Sequence, residues 1–375
     1  MSLSVGIVGL PNAGKSTLFN ALLSRQIANV APYPFCTIEP NVGVVEVPDE
    51  RLEKLAEVVA RDSSTPSRIE GLGMTKKPPI VPAIVEFKDI AGLVAGASKG
   101  EGLGNKFLSH IRESAAIVHT LRAFADETVM RESKIDPQGD FEIVKTELCL
   151  TDLQTLEKQR EPNPSVATKE EKFRWELVLR VRKGLEEGIE VRNLGLTEEE
   201  MEIIKPFCLL TAKPAIFVLN IGEKEIGLSN KALGEKYGLV EDENIIPICA
   251  KMEMELAELA EEERKEYLKE LGLAESGLEK LIKKGYEVLG LQTFLTAGAK
   301  EVRAWTIKKG TKAPQAAGVI HTDFEKGFIK ASVVSFEDFV KFGGWKGAFE
   351  AGKVRLEGKE YVMQEGDVVE FKFAN

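Results

Sequence analysis

Short unbroken apolar runs punctuate the first two-thirds of the chain. Residues 3–8 form one, ending at Gly9, and residues 83–87, 117–121, 215–219 and 245–248 form others. Runs of this length without polar alternation predict strands buried on both faces. Between them the period changes. Leu18, Phe19, Leu22 and Leu23 lie at helical spacing over residues 16–23, directly after the first run. Helical patterns separate several of the other runs. Strand alternating with helix predicts an α/β domain whose mostly parallel sheet is covered on both faces.

Two stretches break that rhythm. Residues 61–82 are polar and contain Pro66, Pro78, Pro79 and Pro82, which predicts a long exposed loop. Residues 131–205 instead carry two helical patterns. Ile143, Leu150 and Leu153 mark one, and Phe173, Leu177, Val181 and Leu185 repeat every four residues on the other. Glu161-Pro162-Asn163-Pro164 supplies a turn between them. The pattern fits an antiparallel helical hairpin inserted in the sheet domain, with ordinary packing helices as the alternative. From about residue 291 the signals become short strands over 301–307, 353–356 and 367–373. Gly343-Gly344 and Glu365-Gly366 act as turns between them.

Composition narrows the class. A chain of 375 residues, 43% of them hydrophobic, can bury a core and predicts two or three domains. With 50 Lys and Arg against 60 Asp and Glu, it has no overall basic footprint for nucleic acid. Residues 300–375 nevertheless carry 13 Lys and Arg against 11 Asp and Glu, a mildly basic segment on an acidic chain. Cys36, Cys149, Cys208 and Cys249 have neither zinc-ligand nor disulfide-framework spacing. No apolar run approaches the ~18 residues of a membrane span, and the N-terminus has no signal-peptide pattern, so a cytoplasmic protein with no membrane partner is expected.

The chemistry is concentrated in Gly9-Leu10-Pro11-Asn12-Ala13-Gly14-Lys15-Ser16, which fits GxxxxGK[ST] between a predicted strand and a predicted helix. Gly9 lets the chain leave the strand sharply, and Gly14 lets backbone approach phosphate oxygens. The N–H groups of Asn12, Ala13, Gly14, Lys15, Ser16 and Thr17 can then face an anion at a helix start. Lys15 brings positive charge to the β and γ phosphates, and the Ser16 hydroxyl suits magnesium. Asp89-Ile90-Ala91-Gly92 follows a strand and matches DxxG. Asp89 is the expected second magnesium-side residue, and the Gly92 N–H faces the γ-phosphate. Thr37, between loop and Asp89, stands where a switch threonine completes the metal shell. Gly92, Gly96, Gly100, Gly102 and Gly104 suit a segment ordered by the γ-phosphate.

Taken together, GLPNAGKST, YPFCTIEPN, DIAGL and GASKGEGLGNKFL resemble the YchF-type Obg-like ATPases. AWTIKKGTKAPQAAGVIHTDFEKGFIKA resembles their C-terminal TGS domain, a small α+β module of β-grasp type. The resemblance covers essentially the whole chain. It implies a P-loop GTPase-like domain at 1–130 and 206–290, a coiled-coil insertion at 131–205 and a TGS domain at 291–375. It also implies binding and hydrolysis of ATP, with GTP as a second substrate, and association with the ribosome or ribosomal RNA. Magnesium is the expected cofactor, and a monomer the expected state. Asn12 resembles the asparagine that helps bind potassium in related proteins, with turn geometry as the alternative. Leu93 stands where Ras-like proteins carry a water-orienting glutamine, and a leucine cannot make that hydrogen bond. Relatives with a histidine near 129–133 contrast with Met130 and Arg131 in this chain.

The base is expected at Asn220-Ile221-Gly222-Glu223, where a guanine-selective protein reads NKxD. Ile221 replaces the lysine and Glu223 the aspartate, a form the family associates with relaxed or adenine-favouring recognition, read partly by backbone near Ile221. Cys249-Ala250-Lys251 fits the last loop of that pocket. Phe124 is a candidate for stacking on the base, or else a core aromatic. Two rival readings remain: a strict GTPase, and an RNA- or ribosome-binding module with negligible turnover.

Overall fold

The computed structural model describes residues 3–28, 41–61, 77–90, 103–125, 135–163, 165–239 and 245–374. The chain divides into two compact units, Met1–Val45 with Val85–Leu289, and Glu46–Ile84 with Gly290–Asn375.

The first unit is built on a six-stranded sheet. Its strands are β1 (Ser4–Val8), β2 (Val42–Glu46), β4 (Ile84–Asp89), β5 (Ala116–Ala123), β6 (Ala215–Ile221) and β7 (Ile245–Ile248), in the order β2-β4-β1-β5-β6-β7. β4, β1, β5, β6 and β7 run parallel. Every residue of β1 and β5 is buried. That is why these strands read as continuous apolar runs, whereas β2 alternates buried and half-buried positions at the edge. Val8, Ile90, Leu108, Ile111, Val144 and Leu148 form one of the packed cores.

The helical insertion consists of Pro137–Glu157 and Lys169–Glu186, followed by the short helix Glu198–Ile204. Asp136 caps the first helix through the Gly139 N–H at 2.9 Å, and Thr168 with Glu171 forms a capping box on the second. The second pattern is correct at Leu177, Val181 and Leu185, which are buried with Cys149 and Leu156. The first is displaced. Ile143 and Leu150 are exposed, and Val144, Leu148 and Cys149 carry the buried stripe instead. One face of this helix turns towards the sheet and another towards its partner helix, so spacing alone could not select the stripe. Asp152 fastens the insertion to the returning chain. Its carboxylate accepts from Leu210 N (2.7 Å), Thr211 N (2.8 Å) and Thr211 Oγ1 (2.7 Å).

The second unit carries a mixed sheet of β3 (Ile80–Val81), β8 (Leu291–Ala297), β9 (Val302–Lys308), β10 (Phe328–Ser335), β11 (Arg355–Glu357) and β12 (Asp367–Phe373). The order is β11-β10-β12-β8-β9-β3. β8 and β9 form an antiparallel hairpin, β12 runs parallel to β8, and the helix Ala313–Ile320 packs Ala313, Ala316 and Ala317 on Phe294 and Phe371. This is the β-grasp arrangement. Residues 46–84, assigned from the sequence to the nucleotide-binding part, belong to this unit. The helix Glu50–Arg61 buries Leu52, Leu55, Ala56 and Val59, and Ile80 and Val81 pair with Val302 and Arg303. The last residues of the expected exposed loop are thus a strand. Two-residue edge strands leave no periodic signal in a sequence.

His119 lies on β5 with no exposed surface, and neither ring nitrogen has a hydrogen-bond partner. Phe141 and Phe217 pack on it at centroid distances of 6.4 and 5.3 Å. Burial, aided by the charge of Arg192, pushes its pKa down to about 3. A base depressed in the fold leaves the unfolded chain to take the proton first. Stability from this group is therefore complete above the unfolded pKa near 6.5 and is lost as pH falls from there towards 3. Between pH 7 and pH 5 the loss should be about 2 kcal/mol. His119→Leu should remove that share of the pH dependence. Urea unfolding of both proteins at the two pH values checks it, and identical slopes would contradict the assignment.

Candidate functional site

Parallel strands bring their carboxyl ends to one edge, where ligands of open α/β sheets bind. Ile7 pairs with Asp89, Val8 with His119, and Arg122 with Asn220. The register therefore gathers the loop after β1, the end of β4, Phe124 after β5 and the end of β6.

The loop depends on three backbone conformations. Gly9 has φ 156°, and a Cβ there would lie 2.5 Å from the Thr120 carbonyl oxygen. Gly14 has φ 89°, and a Cβ would lie 2.1 Å from Asn220 Nδ2. Asn12 has φ 63°, a left-handed conformation that asparagine tolerates better than most side chains. That geometry accounts for Asn12 without an ion. The helix Lys15–Ala28 starts at the loop's end, so its first N–H groups face the site, with Ser16 and Thr17 exposed.

Two opposite charges sit at the base of the loop. Lys15 is 7% exposed, and its Nζ donates to the Leu10 carbonyl at 2.8 Å. Burial lowers its pKa, partly offset by Asp89. Burial likewise raises the Asp89 carboxyl, offset by Lys15 and by a hydrogen bond from the Ser16 hydroxyl. Asp89 Oδ1 is buried and has no hydrogen-bond partner among the described residues. An orphaned carboxylate oxygen beside a serine hydroxyl is a hard oxygen donor set, which fits magnesium. Among the described residues no group of three His, Cys, Asp or Glu could cage a metal. Thr37 and Gly92, like Leu93, Met130 and Arg131, lie outside the described residues.

Asn220 braces the site. Its Nδ2 donates to the Ala13 carbonyl at 3.1 Å, and its Oδ1 accepts from Ala250 N at 3.1 Å. One amide thus joins the phosphate loop to the Cys249–Ala250 turn. Ile221 is 4% exposed and packs with Leu121, Leu219 and Leu233, so only its backbone can meet a ligand. Cys249 belongs to the same core, its thiol pushed up by burial. Glu223 is exposed and pairs with Lys251 at 2.7 Å, which holds its carboxyl below the usual range. Phe124 is half-buried near Gly14, with the Arg122 guanidinium 5.3 Å from its ring centroid.

Sequence reasoning missed Arg122, Glu225 and Tyr237. Glu225 and Tyr237 lie beyond the motif, twelve residues apart, and their hydrogen bond depends on the end of a helix rather than on local spacing.

Strand order, loop and brace define a P-loop nucleoside-triphosphatase domain of the GTPase fold. A family model described as 50S ribosome-binding GTPase matches residues 4–147. The YchF GTPase C-terminal model, described as a protein of unknown function, matches residues 291–374. The chain is similar to Ribosome-binding ATPase YchF of Bacillus subtilis (strain 168), with 50% identity over 381 residues covering 100% of each chain. It is 47% identical over 384 residues to the protein of that name from Escherichia coli O157:H7, covering 100% of this chain and 99% of the relative. The solved structure of the Schizosaccharomyces pombe YchF GTPase matches it with a TM-score of 0.84 and 39% identity, covering 99% of this chain and 98% of that one. The chain belongs to the YchF family.

A buried ammonium that burial disfavours adds little to the fold, so its role is open to a direct test. Lys15→Met keeps the stem and removes the charge. It should leave the melting temperature of the nucleotide-free protein unchanged or higher, while triphosphate affinity falls on the order of 100-fold, the scale of lost charged hydrogen bonds. Thermal melts and calorimetry measure the two effects, and unchanged affinity would remove Lys15 from the phosphate site.

Proposed function

We propose that this chain is an ATP-hydrolysing, ribosome-associated switch with magnesium as its cofactor. The loop amides and Lys15 bind the phosphates. Ser16 and Asp89 would hold the ion, with Thr37 completing its shell, and the Gly92 N–H meets the γ-phosphate. Bound magnesium supplies charge neutralisation on the transferred phosphoryl group. Potassium beside Asn12 is a weaker proposal, since the turn already explains that residue.

The observation that carries the choice of base is the state of the Asn220–Glu223 loop. A guanine reader needs a fixed carboxylate for N1–H and the 2-amino group. Here Glu223 is exposed and engaged by Lys251, and Ile221 is buried in the core where the motif's lysine would stand. Adenine offers an acceptor at N1, so a carboxylate held against it would repel it, whereas one exposed and paired with Lys251 need not face it. The relatives named ribosome-binding ATPases, identical at about half of all positions over full length, support both adenine and the ribosome as partners. The fission-yeast relative is described as a GTPase, which keeps the strict GTPase as the second reading.

Competition between labelled ATP and unlabelled GTP decides between them. ATP should bind at least as well as GTP, and a large excess of GTP affinity would overturn the adenine reading. Ser16→Ala should weaken binding with magnesium far more than binding without it, and equal losses would remove Ser16 from the metal shell. Sedimentation of the full chain with ribosomes, with and without ATP, tests the association. Removal of residues after 290 would be a poor test, because it uncovers the apolar face of the helix Glu50–Arg61.

A further inference from the structure

The carboxylate two residues after Glu223 has a different environment. Glu225 is 8% exposed. Its Oε2 accepts from the Gly222 N–H at 3.1 Å, and its Oε1 accepts from the Tyr237 hydroxyl at 2.6 Å and from Lys236 Nζ. The same hydroxyl also donates to the Ala123 carbonyl oxygen at 2.8 Å, its one hydrogen shared between the two acceptors. Tyr237 ends the helix Asn230–Tyr237, and Gly238 follows in the left-handed conformation. Ala123 is the last residue of β5 and immediately precedes Phe124. Gly222 separates Ile221 from Glu223. One phenol therefore spans the two walls of the base pocket: the strand end that carries Phe124 and the turn that carries the base-reading backbone.

We propose that Tyr237, acting through Glu225, is a positioning residue that sets the spacing between Phe124 and the Ile221–Glu223 turn and thereby controls purine binding. This rests on the reading of the site as a nucleotide pocket. Tyr237 makes its hydrogen bonds at Ala123 and Glu225, whereas Asn220 braces the phosphate side. Base and phosphate subsites thus have separate supports, and the first can be loosened without the second. Burial alone would raise the Glu225 carboxyl, but Lys236, Tyr237 and the Gly222 N–H outweigh it and hold the group below its usual range. The turn is consequently held by an ionised acceptor.

Tyr237→Phe in the full-length protein removes one oxygen and nothing else. Displacement of a fluorescent ATP analogue by ATP, GTP and inorganic tripolyphosphate, each with magnesium, reads the outcome. Affinity for both purine nucleotides should fall about tenfold, while that for tripolyphosphate stays within about twofold; the tenfold loss corresponds to about 1.4 kcal/mol. Glu225→Gln, which keeps acceptor capacity but turns amide hydrogens towards one of its donors, should lose less and in the same base-dependent way. It carries the test if Tyr237→Phe does not fold. Unchanged nucleotide affinity, or an equal loss for tripolyphosphate, overturns the proposal. Should the wild-type chain prefer GTP, the adenine reading fails, yet base-dependent loss in the variant still sustains the role of Tyr237.

Discussion

The amide of Asn220 is the joint on which the site depends. Its two hydrogen bonds hold the Ala13 carbonyl on one side and the Ala250 N–H on the other, which joins the phosphate loop to the Cys249–Ala250 turn. The joint works only because Gly14 has no Cβ, which would fall within 2.1 Å of Asn220 Nδ2. Loop glycine and strand-end asparagine, about two hundred residues apart, therefore constrain each other. The parallel register of β1, β5 and β6 brings them together. Sheet and site share one requirement: the strand ends must stay aligned to within the reach of a side-chain amide.

The charges at the base of the loop follow from the same confinement. Burial raises Asp89 and lowers Lys15, and each partly relieves the other. An unpaired buried carboxylate oxygen is costly in a protein interior, where the effective dielectric is far below that of water. Such a cost persists where the group awaits a ligand. Among the described residues Asp89 Oδ1 has no partner and the Lys15 ammonium bonds the Leu10 carbonyl, and they are the two ends of one arrangement. A cation meeting the first and an anion meeting the second would relieve both.

Much of this was legible in the sequence, for identifiable reasons. The apolar runs before Gly9 and at 83–87, 117–121, 215–219 and 245–248 became β1, β4, β5, β6 and β7. β1 and β5 are buried throughout, and although β4 and β7 alternate buried and half-buried positions, their length and the intervening helical patterns still mark them as strands. The loop after β1 was legible because its backbone demands glycine at 9 and 14 and a residue tolerant of the left-handed conformation at 12, directly between a strand and a helix. The buried face of the helix Pro137–Glu157 was not, since it packs on two neighbours and its apolar residues do not lie on one stripe. The helix Glu50–Arg61 and the edge strand Ile80–Val81 pack in the second unit, which no periodicity announces, because a crossover leaves no mark on composition, only on which strand the segment meets. Nor could Tyr237 be singled out. A tyrosine before a C-capping glycine looks like any helix end until its hydroxyl is seen against Ala123.

Glu223 and Glu225 show how a single turn separates specificity from architecture. Glu225 is buried and bonded to a backbone N–H, a phenol and an ammonium, so the fold has committed its charge. Glu223 is exposed, and its partner Lys251 is more exposed still. A strict reader must leave its carboxylate with unmet bonds when the wrong base arrives, because discrimination comes from polar groups that are buried and unpaired. An exposed Glu223 never meets that condition: water or Lys251 satisfies it whichever base is present. Discrimination between bases would then fall to backbone, whose donors and acceptors are set by the turn. The turn is fixed in turn by Glu225.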